Sequence, residues 1–323
     1  MGLSFCNSLD RTGRTSGQPI QCAVRHWLQG GDSISLNNRC MMETLNFLMC
    51  KPEHFGVSYV INPWMQGNIN QTTVERATHQ WDALLSAVAG LAHVELIEPQ
   101  PGLPDMVFTA NAGFLLDDTA VISHFRFAER QGEEAHFEHW FRSHRFSVLR
   151  MPDDIPFEGA GDALLDRGTL RIWAAWGHRS ARTSHDILAR MLGVEVVSLR
   201  LVDERFYHLD TCFCPLEGGY LLYYPPAFDA QSNRIIERLV HSELRIAIEE
   251  DDALHFACNA INIGSTIIMN KASARLFQRL QDAGFAVIER EMTEFLKAGG
   301  AAKCLTLRVN EPRQLPWTAS RTA

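Results

Sequence analysis

One cysteine near the end of the chain lies in a setting that favours thiolate chemistry. Cys304 follows the glycines Gly299 and Gly300 and comes directly after Lys303, ahead of a run with a β-strand pattern. A cysteine in such a loop can be exposed and electropositive, and both features favour the thiolate, which is the nucleophilic form. The alternative is a small buried hydrophobe, which is the commoner use of cysteine and the expected state of the others in the chain.

Two further segments contain partners for a thiolate nucleophile. His208 lies in the segment 207–211, and a histidine can act as general acid and base. Glu158 precedes a Gly-Ala-Gly turn and could orient that histidine, as the third member of a triad does. The turn lacks the spacing of a nucleotide-binding glycine motif, and no Walker lysine follows it. Most histidines and turn acids are structural, so neither residue alone indicates a function.

Carboxylates in the same segments indicate the kind of substrate. Asp105, Asp162 and Asp210 could bind a cation, although an acid after Pro104 or beside a glycine commonly begins a turn. Carboxylates around a thiolate suit a flat cation rich in N–H donors. A guanidinium fits this description, because its planar fork pairs with carboxylates bidentately. No cysteine and histidine pair has the spacing of zinc ligands, and attack by a thiolate on a guanidinium carbon requires neither a metal nor a cofactor.

Short strands alternate with helices along most of the chain, and these elements must position the polar segments. Helices are predicted at 72–91, 133–143, 183–191, 232–240 and 272–283. Strands are predicted at 45–50, 94–97, 114–116, 119–123, 146–150, 163–165, 170–174, 195–199, 218–223, 260–263, 266–269, 286–289 and 305–309. This alternation is typical of an α/β domain. We predict a loosely ordered extension at 1–40, a single catalytic domain at 41–310 and a C-terminal tail at 311–323.

Composition excludes several classes of protein. The chain has 323 residues, 46% of them hydrophobic, and a formal net charge of −8, which argues against intrinsic disorder and against a nucleic-acid surface. No apolar run approaches the roughly 20 residues of a membrane helix, and the start of the chain has no signal-peptide pattern. The eight scattered cysteines are typical of a reducing compartment. We therefore expect a cytoplasmic protein with a small-molecule substrate and no nucleic-acid or membrane partner. A symmetric homo-oligomer is also expected, because most oligomeric soluble proteins are of this kind.

Taken together and in this order, the polar segments resemble the guanidine-modifying enzymes of the pentein superfamily. These include arginine deiminases, dimethylarginine dimethylaminohydrolases, amidinotransferases and arginine dihydrolases. The most specific parts are the segments 208–211 (His-Leu-Asp-Thr) and 299–304 (Gly-Gly-Ala-Ala-Lys-Cys). The segments 62–65 (Asn-Pro-Trp-Met) and 108–111 (Phe-Thr-Ala-Asn) are similar to the arginine dihydrolase branch. The resemblance implies a five-bladed α/β propeller of repeated strand–strand–helix–strand units, with the active site in its central channel.

The resemblance also implies catalytic roles. Cys304 would be the nucleophile and His208 the acid and base. Glu158 and Asp210 would hold the guanidinium and orient His208, and Asn111 would contact the reacting end of the substrate.

Further polar residues would bind the rest of the substrate. Arg130 and Arg179 stand where the family places residues that bind the substrate carboxylate, while Asn62 would line the entrance and Asp105 would contribute a carboxylate. For both arginines the alternative is a solvated surface charge, and Arg182 is a rival to Arg179.

One departure from the family pattern favours a particular reaction. Arginine deiminases carry aspartate at the position of Asn111, and aspartate prefers a cation. An asparagine offers both a donor and an acceptor, so it can also tolerate a neutral ureido group. The sequence thus predicts an L-arginine dihydrolase, a hydrolase of guanidino C–N bonds that forms ornithine, carbon dioxide and ammonia through a covalent thiouronium on Cys304. The alternatives are a dimethylarginine dimethylaminohydrolase or arginine deiminase that yields citrulline, an amidinotransferase, and a non-catalytic pentein binding module such as translation initiation factor 6.

Overall fold

A computed structural model describes residues 44–313. The predicted extension at 1–40 and most of the predicted tail lie outside the described residues, so the proposed domain boundaries stay predictions.

The described chain forms five separate sheets of three strands each. The strands are β1 (Asn46–Cys50), β2 (His93–Ile97), β3 (Gly113–Leu116), β4 (Thr119–Ile122), β5 (Ser147–Arg150), β6 (Ala163–Leu165), β7 (Ile172–Trp176), β8 (Val196–Arg200), β9 (Phe213–Leu216), β10 (Tyr220–Tyr223), β11 (Arg245–Ala247), β12 (Ile261–Ile263), β13 (Thr266–Met269), β14 (Ala286–Glu289) and β15 (Leu307–Arg308). The helices are α1 (Val74–Ala89), α2 (Ala128–Gln131), α3 (Glu133–Ser143), α4 (Gly159–Asp162), α5 (Arg182–Leu192), α6 (Ala230–Leu239), α7 (Glu250–Leu254), α8 (Ala274–Asp282) and α9 (Thr293–Leu296). Single 3₁₀ turns occur at Pro63–Met65, Pro104–Val107, Thr109–Ala112, Leu209–Thr211, Glu217–Gly219, Pro225–Ala227 and Ser242–Leu244.

All five sheets repeat one pattern. An antiparallel pair, such as β3 and β4, is extended by a parallel third strand, here β5. The parallel connection needs a crossover, which a helix supplies in each sheet. This is the expected five-bladed strand–strand–helix–strand arrangement, and the fold prediction is confirmed.

The first sheet is assembled from both ends of the described chain. The C-terminal β15 pairs antiparallel with β1, with Arg308 opposite Phe47. This pairing holds the loop that precedes β15, and with it Cys304, against the first sheet.

The innermost strand of each sheet is preceded by a turn that carries polar residues. Before β3 this turn contains Asn111, before β6 Glu158, before β9 Asp210, before β12 Asn259 and before β15 Cys304. The same five strands line a shared cavity with about 650 Å³ of space not filled by protein atoms. The propeller therefore brings turns that are far apart in sequence to one place at its centre.

The crossover helices cover the sheets with one apolar face. In α1 the residues Ala77, Trp81, Leu84 and Val88 recur at helical spacing and are almost fully buried. No helix among residues 44–313 is both long enough and apolar enough to cross a membrane.

Most predicted elements are present, with ends that differ by no more than two residues. The helix at 133–143 and the strands at 163–165, 266–269 and 286–289 occur with the predicted bounds. The prediction missed β9, because Pro215 within it signals a turn, and β11, because three residues carry too little alternation. The predicted strand at 305–309 is wrong in length, since only Leu307–Arg308 pairs with β1.

Candidate active site

Cys304 lies at the centre of the polar cluster, with its side chain buried. Its Sγ is 3.6 and 3.7 Å from the two carboxylate oxygens of Asp210 and 3.0 Å from Nδ2 of Asn259. Burial raises the pKa of the Cys304 thiol, and the negative charge of Asp210 raises it further. The expectation of an exposed and electropositive cysteine is therefore wrong. The ammonium of Lys303 lies 3.8 Å from a carboxylate oxygen of Asp210, and its charge only partly offsets these two effects.

Asp210 is fully buried beside the nucleophile. Burial raises its pKa to about 6, against the opposing effect of the Lys303 ammonium. An ionised carboxylate here needs a cation, and a guanidinium placed against Asp210 would supply one.

His208 and Glu158 form a buried hydrogen-bonded pair. Nε2 of His208 lies 2.7 Å from Oε2 of Glu158, which also accepts a hydrogen bond of 3.0 Å from Nη1 of Arg179. Burial tends to raise the pKa of Glu158, but Arg179 and the His208 hydrogen bond outweigh it and hold that pKa well below its ordinary value. Because Glu158 stays ionised, Nε2 of His208 carries the donated proton and Nδ1 is left for proton transfer.

Asn111 is oriented by a buried arginine. Nη1 of Arg130 donates to Oδ1 of Asn111 at 2.9 Å, and Glu133 holds the same guanidinium through two hydrogen bonds of 2.8 Å. Because Oδ1 of Asn111 accepts the hydrogen bond from Arg130, its Nδ2 group faces Glu158. The distance from Nδ2 to the carbonyl oxygen of Glu158 is 3.5 Å. The site therefore offers a neutral N–H donor at this position.

A small cavity beside Cys304 contains about 240 Å³ of space not filled by protein atoms. Its polar lining residues include Asp105, Arg130, Arg179, Asn111 and Asn62.

The groups on the cavity wall have complementary charges. Asp105 accepts a hydrogen bond from Tyr59, while its buried Oδ1 has no partner within the described chain. Burial raises the pKa of Asp105, and the nearby Arg130 opposes this effect. An unpaired carboxylate oxygen near two guanidiniums matches the ammonium and carboxylate of a free amino acid.

Both predicted arginines are buried rather than solvated. Arg130 and Arg179 are 3% and 2% exposed, so the alternative of surface charges is wrong. The ring faces of Phe127 and Tyr207 lie against the Arg179 guanidinium, which is typical of a fixed cation. Arg182 instead lies on α5, where it pairs with Asp186.

Asn62 lines the cavity as predicted, but the protein itself uses its amide. Nδ2 donates to the carbonyl oxygen of Ala298, and Oδ1 accepts from the backbone N–H groups of Trp64 and Met65. Asn62 therefore ties the turn Pro63–Met65 to the loop that precedes the nucleophile.

Two glycines are required by close approach in this site. A Cβ added at Gly161 would lie 2.2 Å from Nδ2 of Asn111, and one at Gly300 would lie 2.5 Å from the ring of Phe108. Side chains at these positions would displace the groups that form the cavity wall.

Asn259 and Asp162 complete the cluster. The sequence gives no motif signal for Asn259, apart from its place in the turn before an inner strand, where each of the other turns carries a site residue. Asp162 does not line the cavity; it accepts from the Ser180 hydroxyl and from the backbone N–H of Leu209, and so positions the chain next to His208. Among the described residues no group of three or more metal-ligating acids, histidines and cysteines could hold a metal ion.

The comparison with protein families fits this geometry. A family model described as N,N dimethylarginine dimethylhydrolase, eukaryotic, matches residues 51–310. The chain belongs to this family. A dimethylarginine dimethylaminohydrolase of Mycobacterium tuberculosis is 38% identical over 83% of the chain and 86% of its own length.

A higher identity is found with a longer protein. The bifunctional arginine dihydrolase/ornithine cyclodeaminase ArgZ of Synechocystis is 58% identical over 84% of the chain. The chain spans only 39% of the length of this relative. The structure of the N-terminal domain of ArgZ, in a cysteine-to-serine mutant bound to substrate, has a TM-score of 0.83 and 58% identity, covering 84% of this chain and 100% of that one. An asparagine-to-serine variant of the same domain is covalently bound to a reaction intermediate.

Proposed function

We propose that this chain is an L-arginine dihydrolase, a cysteine hydrolase that cleaves guanidino C–N bonds. The observation that carries the proposal is the arrangement of Asn111. Its oxygen is held by Arg130, so an N–H donor is offered where a deiminase would have a carboxylate. The similarity to ArgZ supports the same function.

The first half of the reaction uses the charge of the substrate. The guanidinium pairs with Asp210, and this pairing removes the negative field that holds the Cys304 proton. Nδ1 of His208 takes the proton of the Cys304 thiol, and the resulting thiolate attacks the guanidinium carbon. His208 then gives this proton to the terminal nitrogen, whose bond to carbon breaks as ammonia leaves. The amidino adduct on Cys304 is then hydrolysed by a water that His208 deprotonates. Arginine and water thereby yield citrulline and ammonia.

The second half acts on a neutral substrate. Attack of Cys304 on the ureido carbon places negative charge on the ureido oxygen, which needs a donor. The backbone N–H of Cys304 is not available, because it already donates to Oδ1 of Asn259 at 3.1 Å. Nδ2 of Asn111 is the donor we assign to this oxygen. The bond to the terminal ureido nitrogen breaks and releases the second ammonia, which leaves a carbamoyl adduct on Cys304. Water cleaves the C–S bond of this adduct, and the resulting carbamate separates into ornithine and carbon dioxide.

The amino-acid end of arginine is held on the opposite wall of the cavity. Asp105 has an unpaired buried oxygen for the α-ammonium. Arg179 uses two of its N–H donors within the protein and keeps others for the α-carboxylate. Arg130 uses four of its five donors on Glu133, Asn111 and Asp105, so its part in carboxylate binding is smaller than the family resemblance implies.

A product assay tests the proposal. The purified protein is incubated with L-arginine, and citrulline, ornithine and ammonia are measured together, with Cys304→Ala as the background control. We expect ornithine and two ammonias per arginine. Citrulline with a single ammonia would reduce the function to that of a deiminase and would overturn the proposal.

A second candidate is dimethylarginine dimethylaminohydrolase activity. It is favoured by the Mycobacterium tuberculosis relative, which this chain matches over most of that protein's length. Release of dimethylamine from asymmetric dimethylarginine, with no turnover of arginine, would select this candidate. The cytoplasmic location and the homo-oligomer stay predictions, and size-exclusion chromatography tests the second.

A further inference from the structure

We propose that Asn259 is a catalytic residue that stabilises the Cys304 thiolate by donating a hydrogen bond to its sulfur. Asn259 is the contribution of the fifth sheet (β12, β13 and β14) to the centre of the propeller. It lies two residues before the inner strand β12, as Asn111 lies two residues before β3 and Asp210 three residues before β9. It has no exposed surface and lies 3.0 Å from Sγ.

The orientation of the Asn259 amide follows from its partners. Oδ1 lies 3.1 Å from the backbone N–H groups of both Ala301 and Cys304. Only an oxygen can accept from two N–H donors, so a flipped amide would lose both hydrogen bonds. Nδ2 therefore faces the carbonyl oxygen of Asp210 at 3.0 Å and the sulfur of Cys304.

These four contacts give Asn259 two functions. Its oxygen fixes the nucleophile loop, while its nitrogen places one N–H on the sulfur. A hydrogen bond to an ionised acceptor is roughly twice as strong as one to a neutral acceptor. The Nδ2 donor therefore favours the thiolate over the thiol. The carboxylate of Asp210, 3.6 and 3.7 Å from the sulfur, disfavours the thiolate until a cation neutralises its charge.

This inference rests on the proposed function only in taking Cys304 as the nucleophile. It can be tested without arginine, because an alkylating agent such as iodoacetamide reports the thiolate directly. Labelling is followed at Cys304 by peptide mass spectrometry, as the chain has eight cysteines. The pH dependence of the alkylation rate gives the apparent pKa of this one thiol.

The diagnostic variant is Asn259→Asp. The variant keeps the size of the side chain and the oxygen that accepts hydrogen bonds from Ala301 and Cys304. The N–H donor that faces the sulfur is replaced by a carboxylate oxygen, which cannot donate. We expect the apparent pKa of Cys304 to rise by at least about one unit, which lowers alkylation at a fixed pH below that pKa about tenfold. kcat/KM for arginine should fall by at least the same factor.

Asn270→Asp is the matched control. Asn270 is also buried and also bridges two backbone segments, since it donates to the carbonyl oxygen of His255 and accepts from the N–H of Met292. The structure gives it no hydrogen bond to Cys304. This variant should lower thermal stability and leave the pH profile of Cys304 labelling unchanged.

If Asn259→Asp is destabilised like Asn270→Asp but keeps the wild-type pH profile of Cys304 labelling, the proposal is overturned. The aspartate also adds a negative charge beside the sulfur, so the uncharged variant Asn259→Ser is needed to separate loss of the donor from this added charge. The serine hydroxyl is too short to hold the loop and reach the sulfur together, so it should shift the Cys304 profile in the same direction. A purely structural clamp predicts an unchanged Cys304 profile in Asn259→Ser, and that result would also overturn the proposal. If the wild-type protein did not turn over arginine, that would count against the dihydrolase function. The effect of Asn259 on the pH profile of Cys304 labelling would still test the role of Asn259.

Discussion

Replacement of Asn111 by aspartate should separate the two halves of the proposed reaction. The two side chains have the same shape, and the oxygen that accepts from Nη1 of Arg130 at 2.9 Å is present in both. Only the group that faces the reacting end of the substrate changes, from an N–H donor to a carboxylate oxygen. The buried Arg130 keeps its contacts with Glu133, so the variant should fold.

The expected magnitude follows from the single hydrogen bond that is lost. Removal of one donor to a developing oxyanion costs about 2.7–4 kcal/mol, or about 10²- to 10³-fold in kcat. This loss applies to citrulline, whose ureido oxygen becomes negative in the transition state. Arginine brings a cation instead, and a carboxylate tolerates a cation well. We therefore expect the rate of citrulline hydrolysis to fall about 10²-fold or more relative to the rate of arginine deimination.

The assay supplies arginine and citrulline as separate substrates to the Asn111→Asp variant. Ornithine formation measures the second step, and the first ammonia from arginine measures the first. Citrulline should accumulate in the arginine reaction of the variant, whereas the proposed reaction of the wild type converts it to ornithine. An equal loss of both steps would refute the reasoning, because it would mean that Asn111 positions the substrate without distinguishing its charge.

Three further predictions test other parts of the site. Cys304→Ala should abolish turnover while arginine still binds, which calorimetry can measure; residual turnover would remove Cys304 as the nucleophile. Gly161→Ala should lower kcat/KM about 100-fold, because its Cβ would lie 2.2 Å from Nδ2 of Asn111 and force a shift of about 1 Å. Gly90→Ala is the control: its added Cβ would lie 3.5 Å from the nearest atom, so its kcat/KM should match that of the wild type. Since burial raises the pKa of Asp210 to about 6 and the ionised form binds the guanidinium, kcat/KM should fall about tenfold per pH unit below that value. If kcat/KM instead began to fall only near pH 3.8, the ordinary pKa of an aspartate, this assignment to Asp210 would be contradicted.

Much of the site could be predicted from the sequence because its residues stand in contiguous segments. The pairing of His208 with Glu158 and the position of Asn111 follow from motifs that are each a few residues long. The environment of Cys304 could not be predicted in this way. Asp210, which lies within 3.7 Å of the sulfur, is 94 residues away along the chain, and local sequence contains no sign of its charge. The prediction of an electropositive thiol is wrong because the side chain is buried and because this carboxylate, distant in sequence, lies beside it.

Asn259 shows what the repeat of the fold adds to motif reasoning. An asparagine between Cys258 and Ala260 has no motif signal, since asparagine is common in turns. The five sheets nevertheless place equivalent turns around one centre, and four of these turns already carry residues of the site. The fifth turn places the side chain of Asn259 at the same centre, and this fully buried polar group needs partners. The backbone of the nucleophile loop, the carbonyl oxygen of Asp210 and the sulfur of Cys304 are those partners. The repeat that forms the propeller thus places position 259 at the centre, and the hydrogen bonds made there explain why the residue is an asparagine.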